Sequence, residues 1–365
     1  MKNRIQAHFI NLVPSFVLGL VILSFFTGIP EVKVLIGTGS AGTSNGPALT
    51  SKINNPFGVV RGPAGDIWFC EYDGHTVRKM NQEGIISTIV GTGTAGYSGD
   101  GGPPIAATLF RPHEIRFDRD GNLFIADMSN HVIRKVNFDR NEISTVAGTG
   151  HEGFSGDGGL ASLAQLRQPH SIQFDPQGHL YIADVGNNRI RLVNMATGMI
   201  STFAGTGAAD NTIEGSSIND IALNGPRSID FDRDGDLWLV LRNANQVWRF
   251  DMINRTVHHI AGNGIKGFTG NGGDARLASL SGPKGITIAP SGLVYIADTE
   301  SHTIRMINPD SGTIYQVVGT GTKFDGEDGD PLRCGLARPH GVFADKDGSV
   351  LIGDSENHKI RVYRP

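Results

Sequence analysis

The stretch PHEIRFDRDGNLFIADMSNHVIRKV, residues 112–136, decides the fold because it recurs along the chain. Residues 169–193 read PHSIQFDPQGHLYIADVGNNRIRLV, with the same proline, turn, apolar run and basic residue at matching places. A fixed period of this length is typical of repeat architectures, in which each copy buries its faces only against its neighbours. The six copies begin at prolines spaced by 56 or 57 residues: Pro56, Pro112, Pro169, Pro226, Pro283 and Pro339.

Each copy is predicted to form four β-strands. In the second copy they are residues 115–117, 123–126, 132–136 and 143–148, separated by turns such as Asp120-Gly121. The 50 glycines and the short β-branched and aromatic runs of the 365-residue chain favour strands and tight turns. A radial array of such sheets leaves only short, protected edges. We therefore predict one all-β domain, a six-bladed β-propeller of four-stranded antiparallel blades.

The ring must also close. The last copy supplies only three strands, whereas VKVLIGTG at residues 32–39 matches the fourth-strand sequence ISTVAGTG at residues 143–150. We expect the N-terminal strand 32–38 to complete the C-terminal blade. Both termini would then have to separate together before the ring could open.

The N-terminal segment indicates export. Lys2 and Arg4 in a basic region (1–8) precede a hydrophobic segment (9–28) that is long enough for a membrane-spanning helix. The positive flank would stay in the cytosol and leave the propeller (32–365) outside. An uncleaved anchor and a cleaved signal peptide are both open, so the protein is expected to be membrane-anchored or secreted.

The repeats carry the pattern P-x-G/S-I-x-x-D, then x-G-x-L-Y-I-A-D, then N-x-I-R-x-V, which resembles the NHL repeat family over residues 32–365. The resemblance implies the propeller fold and little about function, because propellers host many unrelated sites. Members of that family include extracellular binding domains, RNA-binding domains and a few enzymes, such as the amidating lyase that cleaves peptidyl-hydroxyglycine.

An acid and an arginine recur together inside the blades. The second strand ends in an acid and an arginine follows seven residues later, but blade four has Leu241 and Trp248 in their places. Because both partners are lost together, we interpret them as structural, charge-assisted pairs rather than catalytic acids. The five pairs are Glu71 with Arg78, Asp127 with Arg134, Asp184 with Arg191, Asp298 with Arg305, and Asp354 with Arg361.

The residue after each repeat proline starts an inner strand at the mouth of the central channel. Five of these six residues can carry positive charge although the chain has a formal charge of −4, so the basicity is local. A cationic concave mouth favours an anionic ligand; solvated rim residues without a ligand are the alternative. The six are Phe57, His113, His170, Arg227, Lys284 and His340.

The residue after each second-strand acid is expected near the same face. This second ring holds Tyr72 in blade one and Arg242 in blade four, beside Arg227. Having lost its structural pair, blade four is the blade we expect to be specialised for a ligand.

The mouth histidines offer an alternative, a divalent metal site. In the amidating lyase that the repeats resemble, metal-binding histidines follow the same proline on alternating blades. His113 and His340 match that arrangement, Arg227 stands where the third would be, and His170 lies one blade away. A metal-dependent lyase or lactonase-type hydrolase is therefore the second functional hypothesis.

Two further features have structural and functional interpretations. Cys70 and Cys334 fall in neighbouring blades, where an exported protein can form a disulfide; two free buried thiols are the alternative. Glycine-rich inserts such as residues 95–112, which contain GDGG, lead into the inner strands. We expect them to wall the mouth, either packing between blades or forming a binding surface.

The favoured hypothesis is an extracytoplasmic binding module for a protein, a glycan or an anionic small molecule. No cofactor is required by the sequence. Nucleic acid is a poor match, because the formal charge is −4, the pI is near 6.3 and the domain is expected to be exported. We expect a monomeric propeller.

Overall fold

A computed structural model describes residues 28–365 of the chain. The basic region 1–8 and nearly all of the hydrophobic segment 9–28 lie outside the described residues, so the N-terminal helix remains a prediction. Within residues 28–365, no helix has the length and apolar character needed to cross a bilayer.

The described residues form six antiparallel sheets arranged as the blades of a propeller, as predicted. The inner strands are Pro56–Arg61, Pro112–Phe117, Pro169–Phe174, Pro226–Phe231, Gly285–Ile288 and Val342–Ala344. The second strands are Ile67–Glu71, Leu123–Asp127, Leu180–Asp184, Leu237–Leu241, Val294–Asp298 and Val350–Asp354. The third strands are Thr76–Met80, Val132–Asn137, Arg189–Asn194, Gln246–Asp251, Thr303–Asn308 and Lys359–Arg364.

The outer strands complete the blades. Short 3-10 turns follow most second strands or lie within the inserts. Blade one has a fifth, two-residue strand, Gly46–Pro47, on its outer edge. The outer strands are Ile85–Val90, Glu142–Ala147, Met199–Ala204, Thr256–Ala261, Thr313–Val318 and, for blade six, Glu31–Ile36. The 3-10 turns are Pro104–Ala106, Met128–Asn130, Ala161–Leu163, Val185–Asn187, Ala275–Leu277, Thr299–Ser301 and Ser355–Asn357.

The second strands are apolar because blades stack on both of their faces. Every residue of Leu123–Asp127 is buried, and the hydrophobic clusters mostly join adjacent blades. The inner strands also approach closely around the axis. A Cβ added at Gly341 would lie 1.9 Å from the carbonyl oxygen of Phe57, so only glycine allows blades six and one to meet there.

The predicted ring closure is confirmed. Glu31–Ile36 pairs antiparallel with Lys359–Arg364, with Val34 opposite Arg361. The strand begins one residue before and ends two residues before the predicted 32–38.

For the glycine-rich part of the inserts, the structure corrects the expectation that they wall the mouth. In the insert before blade two, Gly101 N donates to Ile143 O at 2.9 Å and Ile143 N donates to Gly102 O at 3.0 Å. The glycines of the inserts before blades three and five bond their outer strands in the same way. The glycine-rich segments therefore lie at the perimeter and cover the unpaired edge of each outer strand, which limits edge-to-edge association.

A hydrogen bond couples each blade to the next. The residue just before each third strand has a positive φ. Its ring Nδ1 or amide Oδ1 accepts a hydrogen bond from the backbone N–H of the residue just before the next repeat proline. The distances lie between 2.8 and 3.3 Å. We call these six residues the blade latches: His75, His131, Asn188, Asn245, His302 and His358.

Candidate functional site: the channel mouth

The six mouth residues converge, but they do not surround an open hole. Their exposed fractions lie between 5 and 9%. The ring of Phe57 stacks on His340 at a centroid distance of 3.9 Å and meets His113 edge-on at 5.0 Å. His113 in turn contacts His170 at 4.5 Å. The mouth residues thus close the channel with a packed aromatic and polar layer.

Hydrogen bonds between side chains of different blades hold this layer together. Arg227 Nη2 in blade four donates to His113 Nε2 in blade two at 2.8 Å. His113 Nδ1 then carries the hydrogen and donates to the carbonyl oxygen of His170 at 2.8 Å. On the other side, Lys284 Nζ donates to His340 Nε2 at 3.3 Å. The network assigns the neutral tautomer of His113.

The three mouth histidines do not contribute positive charge near neutral pH. Burial, reinforced by Arg227, lowers the pKa of His113 and of His170 well below 6.5. Burial and Lys284 do the same for the pKa of His340. The positive charge of the mouth is therefore carried by lysine and arginine, and the ring is less cationic than its composition predicts.

Part of that positive charge is neutralised on blades five and six. Glu300 accepts from Lys284 Nζ at 2.9 Å and from Arg338 Nη2 at 2.7 Å. Burial opposes ionisation of Glu300, but these hydrogen bonds outweigh it and lower its pKa to about 2. Glu356 accepts from Arg338 Nη1 at 2.8 Å. Burial and the charge of Arg227 lower the pKa of Lys284 to about 7.

Blade four keeps its positive charge uncompensated. Arg227 is the only buried arginine within residues 28–365 that has no carboxylate oxygen within salt-bridge distance. Arg242, half-buried beside it, makes no ion pair in the described structure, and neither Nε–H finds an acceptor there. Burial and the neighbouring Arg242 lower the pKa of Arg227 to about 9, which still leaves it charged at neutral pH.

An aromatic wall faces this charge from blade one. Tyr72 stacks on Phe57 at a centroid distance of 4.3 Å, and the guanidinium of Arg111 lies 5.2 Å from the Tyr72 ring centroid. Two other residues that follow second-strand acids, Thr299 and Ser355, have structural contacts: Thr299 Oγ1 donates to Pro339 O and Ser355 Oγ donates to Pro56 O, both at 2.7 Å.

The mouth histidines are not arranged as metal ligands. No group of three or more potential metal-binding side chains occurs in the part of the chain that the structure describes. Both ring nitrogens of His113 are engaged in hydrogen bonds, as are those of His340. His170 Nδ1 is bonded to Gln168 O at 2.7 Å, which leaves His170 Nε2 alone in the trio without a hydrogen-bond partner among the described residues.

The acid and arginine partners lie together in all five blades where both occur. Their side chains are fully buried, with N–O distances between 2.8 and 3.8 Å. Three of the arginines also bind an aspartate of the preceding insert: Arg134 to Asp100, Arg191 to Asp157, and Arg361 to Asp325, at 2.6, 2.6 and 2.7 Å. The arginine thus ties the insert to its blade, away from the mouth.

Blade four replaces this buried charge with apolar packing. Leu241 and Trp248 are 0 and 2% exposed in one hydrophobic cluster. Glu214 occupies the place of the insert aspartate. It accepts from His259 N at 2.6 Å and from His258 Nδ1 at 2.8 Å, without an arginine.

Of the two alternatives for Cys70 and Cys334, a disulfide or two free buried thiols, the structure has the free thiols. Both thiols are buried and free. Cys70 packs in the core between blades one and two, where Gly58 N donates to its Sγ at 3.1 Å. Cys334 belongs to the core of blades five and six, so the two side chains lie in different clusters.

Sequence reasoning missed the two acids that neutralise blades five and six and the arginine that binds them both. Glu300, Arg338 and Glu356 fall at variable loop positions that the repeat comparison did not cover. A comparison of the residues just before each repeat proline would have shown Arg338 as a further cation at this face.

Comparisons with known proteins agree with the fold. The NHL repeat model matches residues 166–191 and 336–363, and the teneurin NHL domain model matches 260–335. The chain is 27% identical over 279 residues to the chloroplastic protein SUPPRESSOR OF QUENCHING 1 of Arabidopsis thaliana. It is also 27% identical over 293 residues to NHL repeat-containing protein 2 of Bos taurus.

The alignments cover less than half of each relative's length. The alignments cover 73 and 72% of this chain but only 26 and 39% of the two relatives. Among solved structures, an auxiliary nutrient binding protein from Bacteroides thetaiotaomicron superposes with a TM-score of 0.68 at 17% identity. That match covers 92% of this chain and 76% of the other, and it shows a shared fold.

Proposed function

Since the chain is an NHL-repeat six-bladed β-propeller, we propose that it is an extracytoplasmic binding module whose channel mouth holds an anionic small ligand. The observation that carries the proposal is the buried Arg227, which has no carboxylate partner among the described residues, beside the equally unpaired Arg242. An uncompensated buried cation is costly, and an anionic ligand would supply the missing charge.

The ligand would be held by three parts of the mouth. Arg227 and Arg242 supply guanidinium groups suited to a carboxylate or phosphate. The stacked pair of Tyr72 and Phe57 offers an apolar surface on the opposite side. Neutral His113 fixes one guanidinium group by accepting from Arg227 Nη2, which reduces the entropy lost on binding.

Two further observations support the proposal. The basic N-terminal region and hydrophobic segment are consistent with export. A structural neighbour with the same fold is named as an auxiliary nutrient binding protein, so this architecture is compatible with a ligand-binding role.

The test measures binding of inorganic phosphate and citrate to the full chain by isothermal titration calorimetry, with glucose as a neutral comparison. Arg242→Gln is expected to weaken anion binding about tenfold, because a charge-assisted hydrogen bond is lost. Arg233→Gln is the matched control, since Arg233 is exposed on the opposite face of the same blade. Anion binding that is equal in all three proteins would overturn the proposal.

A further inference from the structure

A cavity opens at the end of the channel opposite the mouth. It has a volume of about 270 Å³ and is lined by the last residues of the inner strands, whereas the mouth lies at their first residues. We call it the lower cavity. A small cavity of about 20 Å³, lined by Gly58, Gly285 and Gly341 among others, lies between the two ends of the channel.

The floor of the lower cavity has an excess of negative charge. Glu114 forms an ion pair with Arg116, and Asp230 lies close enough to Arg116 to share its charge. Two carboxylates therefore share one guanidinium group. Arg61 also lines the cavity, but it is paired with Asp345 and donates to Gly65 O, so its charge is already balanced.

Asp230 is held firmly in place. Its Oδ1 accepts from Gln173 Nε2 at 2.7 Å and its Oδ2 accepts from Ile288 N of blade five at 2.9 Å. Burial raises the pKa of Asp230. Burial also raises the pKa of Glu114, and the negative charge of Asp230 adds to this increase. Asp230 is thus the charged lining residue that has no ion pair among the described residues.

The walls of the lower cavity are aromatic. Phe117, Phe231 and Phe343 line it and are all half-buried. The faces of aromatic rings attract organic cations, and this attraction grows when water is excluded. A carboxylate beneath aromatic walls is therefore complementary to an ammonium group that carries carbon substituents.

We propose that the lower cavity binds a small organic cation of the quaternary or substituted ammonium class, with Asp230 as its counter-ion and Phe343 as an aromatic wall. The two ends of the channel would then select ligands of opposite charge. The inference is independent of the anion site, because it uses no residue of the mouth.

The test titrates the full chain with choline by isothermal titration calorimetry. One saturable site is expected, and the uncharged carbon isostere of choline should bind at least roughly tenfold more weakly, because it lacks the charge. Asp230→Asn is expected to weaken choline binding about tenfold. Phe343→Leu, which keeps apolar volume but removes the ring, is expected to weaken it roughly threefold.

Asp120→Asn is the matched control, because Asp120 is an exposed acid in a turn on the same face. It should leave choline binding unchanged. The proposal is overturned if choline shows no saturable binding, if the isostere binds equally well, or if Phe343→Leu and Asp230→Asn both bind like the original chain. Should Asp230→Asn fail to fold, the isostere and Phe343→Leu decide the outcome.

Discussion

Blades three and four stack side by side and solve the same packing problem in different ways. Blade three buries Arg191 between Asp184 and the insert residue Asp157. Blade four places Trp248 and Leu241 there, each at most 2% exposed. A buried ion pair gives little net stability over apolar packing of similar volume, but removal of one partner is expensive. The comparison explains why both partners are absent from blade four.

The same two blades also differ at the mouth. Blade three presents His170, which burial keeps neutral, whereas blade four presents Arg227 and Arg242 without carboxylates in the described structure. The blade that has no charged pair in its core is thus the blade that keeps free charge at the mouth. The acid–arginine pair of blade three therefore stabilises the scaffold, whereas Arg227 and Arg242 of blade four are available to a ligand.

The largest expected effect comes from breaking the charged pair of blade three. Arg191→Leu leaves Asp184 buried without its cation and is expected to lower the free energy of unfolding by about 3–5 kcal/mol. Urea denaturation measures the change. The double variant Asp184→Leu with Arg191→Trp copies blade four and is expected to recover much of the loss. A single variant that costs less than about 1 kcal/mol would contradict the comparison.

The mirror experiment introduces a charge into blade four. Trp248→Arg places a guanidinium group beside Leu241 in an apolar cluster and is expected to lower the free energy of unfolding by about 3 kcal/mol. Adding Leu241→Asp should restore part of it, since Glu214 already stands in the position of the insert acid. Equal stability of the single and double variants would show that the acid is not the required partner.

A smaller effect is expected at the blade latches. His131 in blade two accepts from Gln168 N through Nδ1 at 3.1 Å, while Asn188 in blade three accepts from Gly225 N through Oδ1 at 3.3 Å. His131→Ala is expected to cost about 1–2 kcal/mol, because a backbone donor loses its partner. His131→Asn should remain within about 0.5 kcal/mol of the original chain. Thermal unfolding of both variants is the measurement. If the hydrogen bond is what matters, His131→Asn is more stable than His131→Ala; if the ring only packs, both variants lose similar stability.

The smallest expected effect is a difference in pH dependence between histidine and asparagine latches. Burial lowers the pKa of His75, His131, His302 and His358 below 6.5. The unfolded chain therefore binds more protons in the window below 6.5, so stability is present above that pH and falls as the pH falls through the window.

The pH effect is measured as the change in urea midpoint between about pH 7.5 and about pH 5, the range in which histidine titrates. In the original chain the latch histidines contribute a loss of stability on acidification. His131→Asn should lose less, since one titrating latch has been removed. An identical loss in both proteins would mean that the latch histidine takes no part in acid destabilisation.

The blade count, the ring closure and the in-blade charged partners could be predicted, because they depend on sequence spacing alone. The latches and the insert aspartates were missed, although His75 and Asp100 recur in kind at most equivalent positions. Their partners lie in another blade or in an insert, at distances that only the closed ring defines. The recurrence itself was a usable signal for the latches.

The chemistry of the mouth was harder to predict for a different reason. The sequence identifies His113 and His340 as titratable, but their protonation depends on burial and on the cations beside them. The contact of Arg227 with His113 crosses the channel between blades two and four. Such contacts follow from the convergence of six strands on one axis, which no pattern within a single repeat records.

The central claim, that blade four holds an anion at the mouth, is tested most directly by locating a bound anion. Crystals of the full chain soaked in sodium bromide would show bromide by its anomalous scattering. The account predicts a strong bromide site in contact with the guanidinium groups of Arg227 and Arg242. Bromide found only on the outer surface, with both guanidinium groups bare, would contradict it.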